Sequence, residues 1–159
     1  MDTRILFVCL GNICRSPTAE GIFRKVVTDA RMQDRIFIDS AGTGGWHIGK
    51  SPDARAVSAA QARGYGLSSL RARQVAATDF EAFDFILAMD HANLSDLQSM
   101  KPDHYQGHLG LFLDFAEHSR HREVPDPYYG GSAGFDLVLD LIEDASAGLL
   151  RQLQQRHRA

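Results

Sequence analysis

The sequence predicts an α/β fold: a single three-layer domain in which a central parallel sheet of about four strands is flanked by helices. Short apolar runs alternate along the chain with stretches of helical periodicity. Runs such as Ile5-Leu6-Phe7-Val8 are continuously apolar, as expected of strands covered on both faces rather than one. A chain of 159 residues is also long enough for one core that buries roughly two-thirds of the unfolded surface.

Taken in order, residues 5–8 are the first strand, ending just before Cys9. After a glycine-containing loop, Ser16 and Pro17 read as the N-cap and first residue of a helix. Ala19, Ile22, Phe23, Val26, Val27 and Ala30 give that helix one apolar face. Residues 36–38 form a second strand that ends in Asp39-Ser40-Ala41-Gly42-Thr43, and a Gly-rich loop with Trp46 follows. Pro52-Asp53 opens a helix that runs to about Arg63 and is stopped by Gly64. The third strand is expected over 83–89, then a helix over 90–100 with Leu94 and Leu97 facing inward. Residues 108–112 are the fourth strand. From Ser132 onward, Phe135, Val138, Leu139, Ile142, Leu149, Leu150 and Leu153 mark a long terminal amphipathic helix. This alternation is flavodoxin/Rossmann-like, and such sheets bind ligands beyond the carboxyl ends of their strands. Cys9 stands at one of those ends.

Composition narrows the function classes. With 44% hydrophobic and 23% charged residues the chain reads as an ordinary globular protein. A net charge of −3 supplies no basic field, so no nucleic-acid partner is expected. No run of about 18 apolar residues is present, so no membrane span is expected. The N-terminal apolar stretch is too short for a signal sequence and lacks a cleavage site. Two cysteines five positions apart make a poor disulfide framework and fit a reducing, cytoplasmic setting. His118 and His121 lie in a polar stretch without a third ligand, so neither metal nor cofactor is expected.

The chemistry concentrates in Cys9-Leu10-Gly11-Asn12-Ile13-Cys14-Arg15-Ser16. A loop of free N–H groups closed by a helix N-terminus is an anion site. Gly11 permits a tight turn, Asn12 tolerates left-handed geometry, and Arg15 supplies a planar fork for two phosphate oxygens. Cys9 points into the same positive nest, where its anionic, nucleophilic form is favoured, and Ser16 can donate to the sulfur. The plainer reading makes Cys9 a small apolar residue finishing a strand.

Val8 to Pro17 match throughout a signature close to V-C-x-G-N-x-C-R-S-P. The chain thereby resembles the low-molecular-weight protein tyrosine phosphatases over nearly its whole length. The resemblance implies that Cys9 is the nucleophile, that Arg15 clamps the transition state, and that residues 10–16 bind phosphate, with Asn12 and Ser16 bracing the loop. It implies further that Asp126, in Pro125-Asp126-Pro127-Tyr128-Tyr129, is the general acid and then the base that activates water. Trp46, Tyr128 and Tyr129 become walls of an aryl cleft, with His47 beside them, and Ser40 a support of the phosphate-loop asparagine. Each residue also has a plainer reading: Asp126 as a turn residue, Trp46 as a lid over the core edge, His47 as a solvated loop side chain. Cys14 sits where the family carries a reversible disulfide partner of the nucleophile; otherwise it is a packed small side chain. Leu70 departs from the family, where many members have a histidine bridging to the loop asparagine, so Asn12 must be held by other contacts.

The implied activity is hydrolysis of phosphotyrosine through a cysteinyl-phosphate. The implied partner is a phosphotyrosine-bearing protein, a tyrosine kinase being one candidate, and phosphate or vanadate should bind. A thioredoxin-coupled arsenate reductase needs cysteines beyond the loop, and the sequence has only Cys9 and Cys14. A phosphoarginine phosphatase of the same family tends to carry threonine where this chain has Ile13. A non-catalytic phosphate-binding or phosphocarrier module would need the loop but not Asp126.

Overall fold

The first strand, β1 (Thr3–Cys9), has five consecutive inward residues because both of its faces are covered. Ile5, Phe7 and Cys9 point into one apolar layer, and Leu6 and Val8 into the other, as the period of two requires. The computed structural model describes residues 2–128 and 132–158. In it, β1 is followed by α1 (Arg15–Asp29), β2 (Ile36–Gly42), α2 (Ala54–Ala62), α3 (Asp79–Ala82), β3 (Phe85–Ala88), α4 (His91–Met100) and β4 (His108–Leu111). A 3-10 turn (Phe112–Phe115) and the long α5 (Ser132–Arg158) complete the order.

All four strands are parallel, in the order β2-β1-β3-β4. Helices α1, α2 and α5 cover one face, where Phe7 meets Phe23 of α1 and Phe112 edge-on. Phe80 of α3 and Leu97 of α4 cover the other, against Leu6, Val8 and Ile86. The architecture is the three-layer one read from the sequence. The chain leaves β1 toward β2 and returns to β3 on β1's other side, so connections diverge at the carboxyl end of β1, where such folds place ligands.

Local chemistry moves several boundaries. The first helix begins at Arg15 rather than at Pro17, with Cys14 at the N-cap position and no side-chain cap. Ser16 does not cap because its hydroxyl is engaged by the Cys9 sulfur and the Asn12 amide. The third strand is Phe85–Ala88, shorter than 83–89, and Phe83 instead closes α3, an element the sequence pattern did not reveal, by donating its N–H to the Asp79 carbonyl at 3.0 Å. Phe112, expected in the fourth strand, instead opens the 3-10 turn. The second helix is capped by Asp53, and Gly64, at φ 89°, closes it with the paired bonds Gly64 N–H to Gln61 O and Tyr65 N–H to Ala60 O. No helix among the described residues is long and apolar enough to cross a membrane.

Candidate active site

Cys9 ends β1, and the next five residues turn the chain back into α1. The turn is forced through Asn12, whose φ of 58° is left-handed, a conformation that asparagine tolerates better than most residues. That backbone is held on three sides. Thr43 and Gly44 N–H groups donate to the Cys9 and Leu10 carbonyls at 2.9 Å, and Asp53 N–H donates to the Ile13 carbonyl at 2.8 Å. A Cβ on Gly42 would stand 2.8 Å from the Leu10 carbonyl oxygen, so this close approach requires glycine.

The Cys9 sulfur lies at the floor of an open cleft of about 460 Å³ and is only 3% exposed. It accepts the Asn12 N–H at 3.3 Å and lies 3.0 Å from Ser16 Oγ. Asn12 Nδ2 donates to Ser16 Oγ at 2.8 Å and to Ser40 Oγ at 3.0 Å, while its Oδ1 accepts the Arg73 N–H at 2.9 Å. Ser16 Oγ therefore accepts from Asn12 and keeps its own proton for the sulfur, with the Ala41 carbonyl a longer option at 3.4 Å. Ser40 in turn donates to Glu20 Oε1 at 2.6 Å. Leu70 packs at the core edge, and the Arg73 backbone N–H is what holds the Asn12 carbonyl oxygen.

Arg15, 3% exposed, reaches into the cleft beside the sulfur. Its Nη1 donates to Asp90 Oδ2 at 2.6 Å and to the Val124 carbonyl at 3.0 Å. Burial opposes the charge, but Cys9, the Asp90 contact and Asp126 outweigh it and hold the guanidinium above its ordinary value. Asp90 is itself fixed, since its Oδ1 caps α4 by accepting the Asn93 N–H at 2.8 Å.

Asp126 faces this guanidinium, with Oδ2 3.7 Å from Arg15 Nη2 and Oδ1 accepting the Tyr128 N–H at 3.0 Å. Trp46, His47 and Tyr128 line the same cleft together with Leu10, Gly11, Ile13 and Cys14. Trp46 is 70% exposed, which sets it at the rim and not over the core. His47 packs against Gly11, and its ring centroid is 6.5 Å from that of Tyr128. Tyr129 lies outside the described residues. Cys14 is buried with Ala56 and Phe135, and burial, assisted by Asp53, Cys9 and Asp126, pushes its thiol up to about 12. Both cysteines are free thiols.

Three participants were not legible beforehand. Glu20 is buried on α1, and burial pushes its carboxyl up against the contacts from Ser40 and Arg24. An acid on an otherwise apolar helical face, next to Ala19 and Ile22, was its one signal. The Val124 carbonyl, and Arg55, whose Nη2 donates to the Tyr128 carbonyl at 2.8 Å beside Asp126, left none, because their contacts join residues far apart in sequence. His118 and His121 are exposed, and no group of three or more His, Cys, Asp or Glu side chains that could hold a metal occurs among the described residues.

Chemically, the first turn of α1 offers N–H groups without helical acceptors, and Arg15 adds a fixed fork above the sulfur. This is a cradle for a tetrahedral oxyanion with a nucleophile beneath it and a carboxyl group at its mouth. The family model for low molecular weight phosphotyrosine protein phosphatases matches residues 4–159. A putative low molecular weight protein-tyrosine-phosphatase of Synechocystis sp. is 47% identical over 151 residues, covering 94% of this chain and 96% of the relative. The low molecular weight protein-tyrosine-phosphatase YfkJ of Bacillus subtilis is 42% identical over 151 residues, covering 95% and 96%. A crystal structure of an Entamoeba histolytica protein tyrosine phosphatase, with Hepes in its active site, superposes with a TM-score of 0.94 at 40% identity, covering 98% of this chain and 99% of that one. Fold, loop and likeness agree, and the chain belongs to the low molecular weight phosphotyrosine protein phosphatase family.

Proposed function

We propose that this chain hydrolyses phosphotyrosine in proteins by two displacements at phosphorus, with Cys9 as nucleophile. The observation that carries the reading is that the Asp126 carboxyl, 3.7 Å from the Arg15 guanidinium, lines the same cleft as the Cys9 sulfur. In the first step the sulfur attacks phosphorus, the P–O bond to the phenol breaks, and Asp126 gives its proton to the departing oxygen. In the second, water attacks the cysteinyl-phosphate, Asp126 takes its proton, and the S–P bond breaks to release phosphate and the thiolate.

Arg15 binds two phosphoryl oxygens through both displacements, oriented by Asp90 and the Val124 carbonyl, while the N–H groups of residues 10–16 take the remaining charge. Ser16 and the Asn12 N–H stabilise the sulfur as it leaves. Asn12 keeps the loop's shape, anchored on Ser40. Trp46 and Tyr128 accept a flat phenyl ring, and His47 stands beside it. The partner is a phosphotyrosine-bearing protein such as an autophosphorylated kinase, met in the cytoplasm. Cys14, a neutral thiol lining the same cleft, is the partner for a reversible disulfide when Cys9 is oxidised.

Hydrolysis of p-nitrophenyl phosphate and of phosphotyrosine peptides tests this. Wild type should turn over, Cys9→Ser should not, and Asp126→Ala should slow by about 10²–10⁴-fold. An inert wild type, or a Cys9→Ser variant at near-normal rate, would sink the assignment. A phosphoarginine peptide cleaved faster than its phosphotyrosine counterpart would move it to the arginine-directed branch, against the apolar Ile13 at the cleft.

A further inference from the structure

Asp126 needs to stand within hydrogen-bond reach of the leaving oxygen, and a misplacement of about 1 Å can cost about 100-fold. Its loop, however, belongs to none of the four strands, and the side chain is 38% exposed. Val124 pins the segment before Asp126 to Met89 and Arg15, and the Tyr128 side needs a hold of its own. A continuous set of contacts supplies it. Asp53 donates its N–H to the Ile13 carbonyl of the phosphate loop at 2.8 Å, and its carboxylate grips Arg55. Asp53 Oδ1 accepts Arg55 N–H at 2.8 Å and Nε at 3.1 Å, and Oδ2 accepts Nη2 at 3.0 Å. That fork is thereby fixed on the N-terminus of α2. Arg55 Nη2 then donates to the Tyr128 carbonyl at 2.8 Å, and the Tyr128 N–H closes on Asp126 Oδ1 at 3.0 Å. The guanidinium carbon also lies 5.6 Å from the Tyr128 ring centroid and 5.0 Å from that of Phe135. Arg55 therefore holds the acid loop on the Tyr128 side and again where α5 begins.

We infer that Arg55 is a positioning residue for the general acid, a clasp running Ile13–Asp53–Arg55–Tyr128–Asp126 that sets the separation between the carboxyl group and the phosphate loop. This rests on the reading of Asp126 as the acid. A residue acting only through Asp126 should matter in proportion to how much the leaving group needs a proton. A carbonyl acceptor and two aromatic faces suit a planar, charged fork, so lysine is a poor substitute.

The test is kcat/KM over a series of aryl phosphates, from strongly to weakly acidic phenols, for wild type, Arg55→Ala, Arg55→Met, Asp126→Ala and the Arg55→Ala/Asp126→Ala double variant. Arg55→Met keeps an unbranched apolar stem beside the rings while removing the guanidinium and its bonds to Asp53 and Tyr128, which guards against simple unfolding. Vanadate inhibition constants within about 2-fold of wild type would show an intact phosphate loop. Expected is a loss of about 10- to 100-fold for phenyl phosphate in both Arg55 variants. Little loss is expected for a dinitrophenyl ester, and no further loss in the double variant beyond Asp126→Ala. An equal loss across the series, or losses that multiply in the double variant, would overturn the clasp while leaving Asp126 as the acid. If Asp126→Ala itself shows no dependence on the leaving group, the acid assignment falls, and the clasp with it.

Discussion

At the scale of single residues, the site works by denying side chains their freedom. Arg15 is an example: one of its terminal nitrogens is committed to Asp90 and Val124, so the fork cannot swing away, and the other remains on the Asp126 side. Arg15→Lys should therefore lower kcat by about 10²–10³-fold, since a point charge cannot copy two parallel donors. Steady-state kinetics, with circular dichroism to check the fold, measures this; a loss below about 5-fold would contradict the fork's role. The spacing from Cys9 to Arg15 was legible because one turn and one helix start place both on the same nest. Asp126 was legible only through likeness to a known loop, since Asp-Pro by itself is a turn. Glu20, which fixes Ser40 and through it Asn12, was hidden because its one signal, an acid beside the apolar face of α1, does not say which partner it meets.

At the scale of elements, α5 shows how one helix organises distant backbone. Its Asp144 carboxylate accepts the N–H groups of Glu117, His118 and Ser119 at 2.7–3.2 Å, and so caps the segment that follows the 3-10 turn. One turn further on, a Cβ on Gly148 would stand 1.8 Å from the Phe115 carbonyl oxygen, so the helix can approach the turn only as glycine. Burial pushes the Asp144 carboxyl up, but the three N–H donors outweigh it and hold the group below the ordinary aspartate range. A lowered folded value means that the ionised form stabilises the fold. The contribution is complete above about pH 4, and it is lost as the pH falls through the lower, folded value. Asp144→Ala should cost about 1–3 kcal/mol near neutral pH, with the gap to wild type closing in acid; urea melts across pH check it. Element existence was largely readable from hydrophobic period, whereas ends were not. The α1 start was misplaced because a Ser-Pro pair normally caps, and here the serine serves a sulfur instead.

At the scale of the whole molecule, folding and anion binding are linked. The phosphate loop exists only in the folded chain, so any oxyanion that it grips must stabilise the fold by mass action. Vanadate at about 100 times its Kd should add about 2.7 kcal/mol, or roughly 5–10 °C in Tm for a chain of this size. Arg15→Ala should abolish most of that shift, as differential scanning calorimetry would show; an equal shift in the variant would place the anion elsewhere. The sheet and its helical layers were visible at this scale because parallel strands covered on both faces leave unbroken apolar runs. The order β2-β1-β3-β4 was not, since pairing depends on which runs meet and not on their composition.

That order has a practical result for the nucleophile. β1 is paired on both edges, and Ile5 through Val8 are fully shut from solvent, so no local fraying can reach the strand from which Cys9 projects. Its amides exchange with water only when the entire molecule opens. Placement of the nucleophile and nativeness are thus one property: while Cys9 stays reduced, stress takes the sulfur out of its nest only in molecules that have opened altogether.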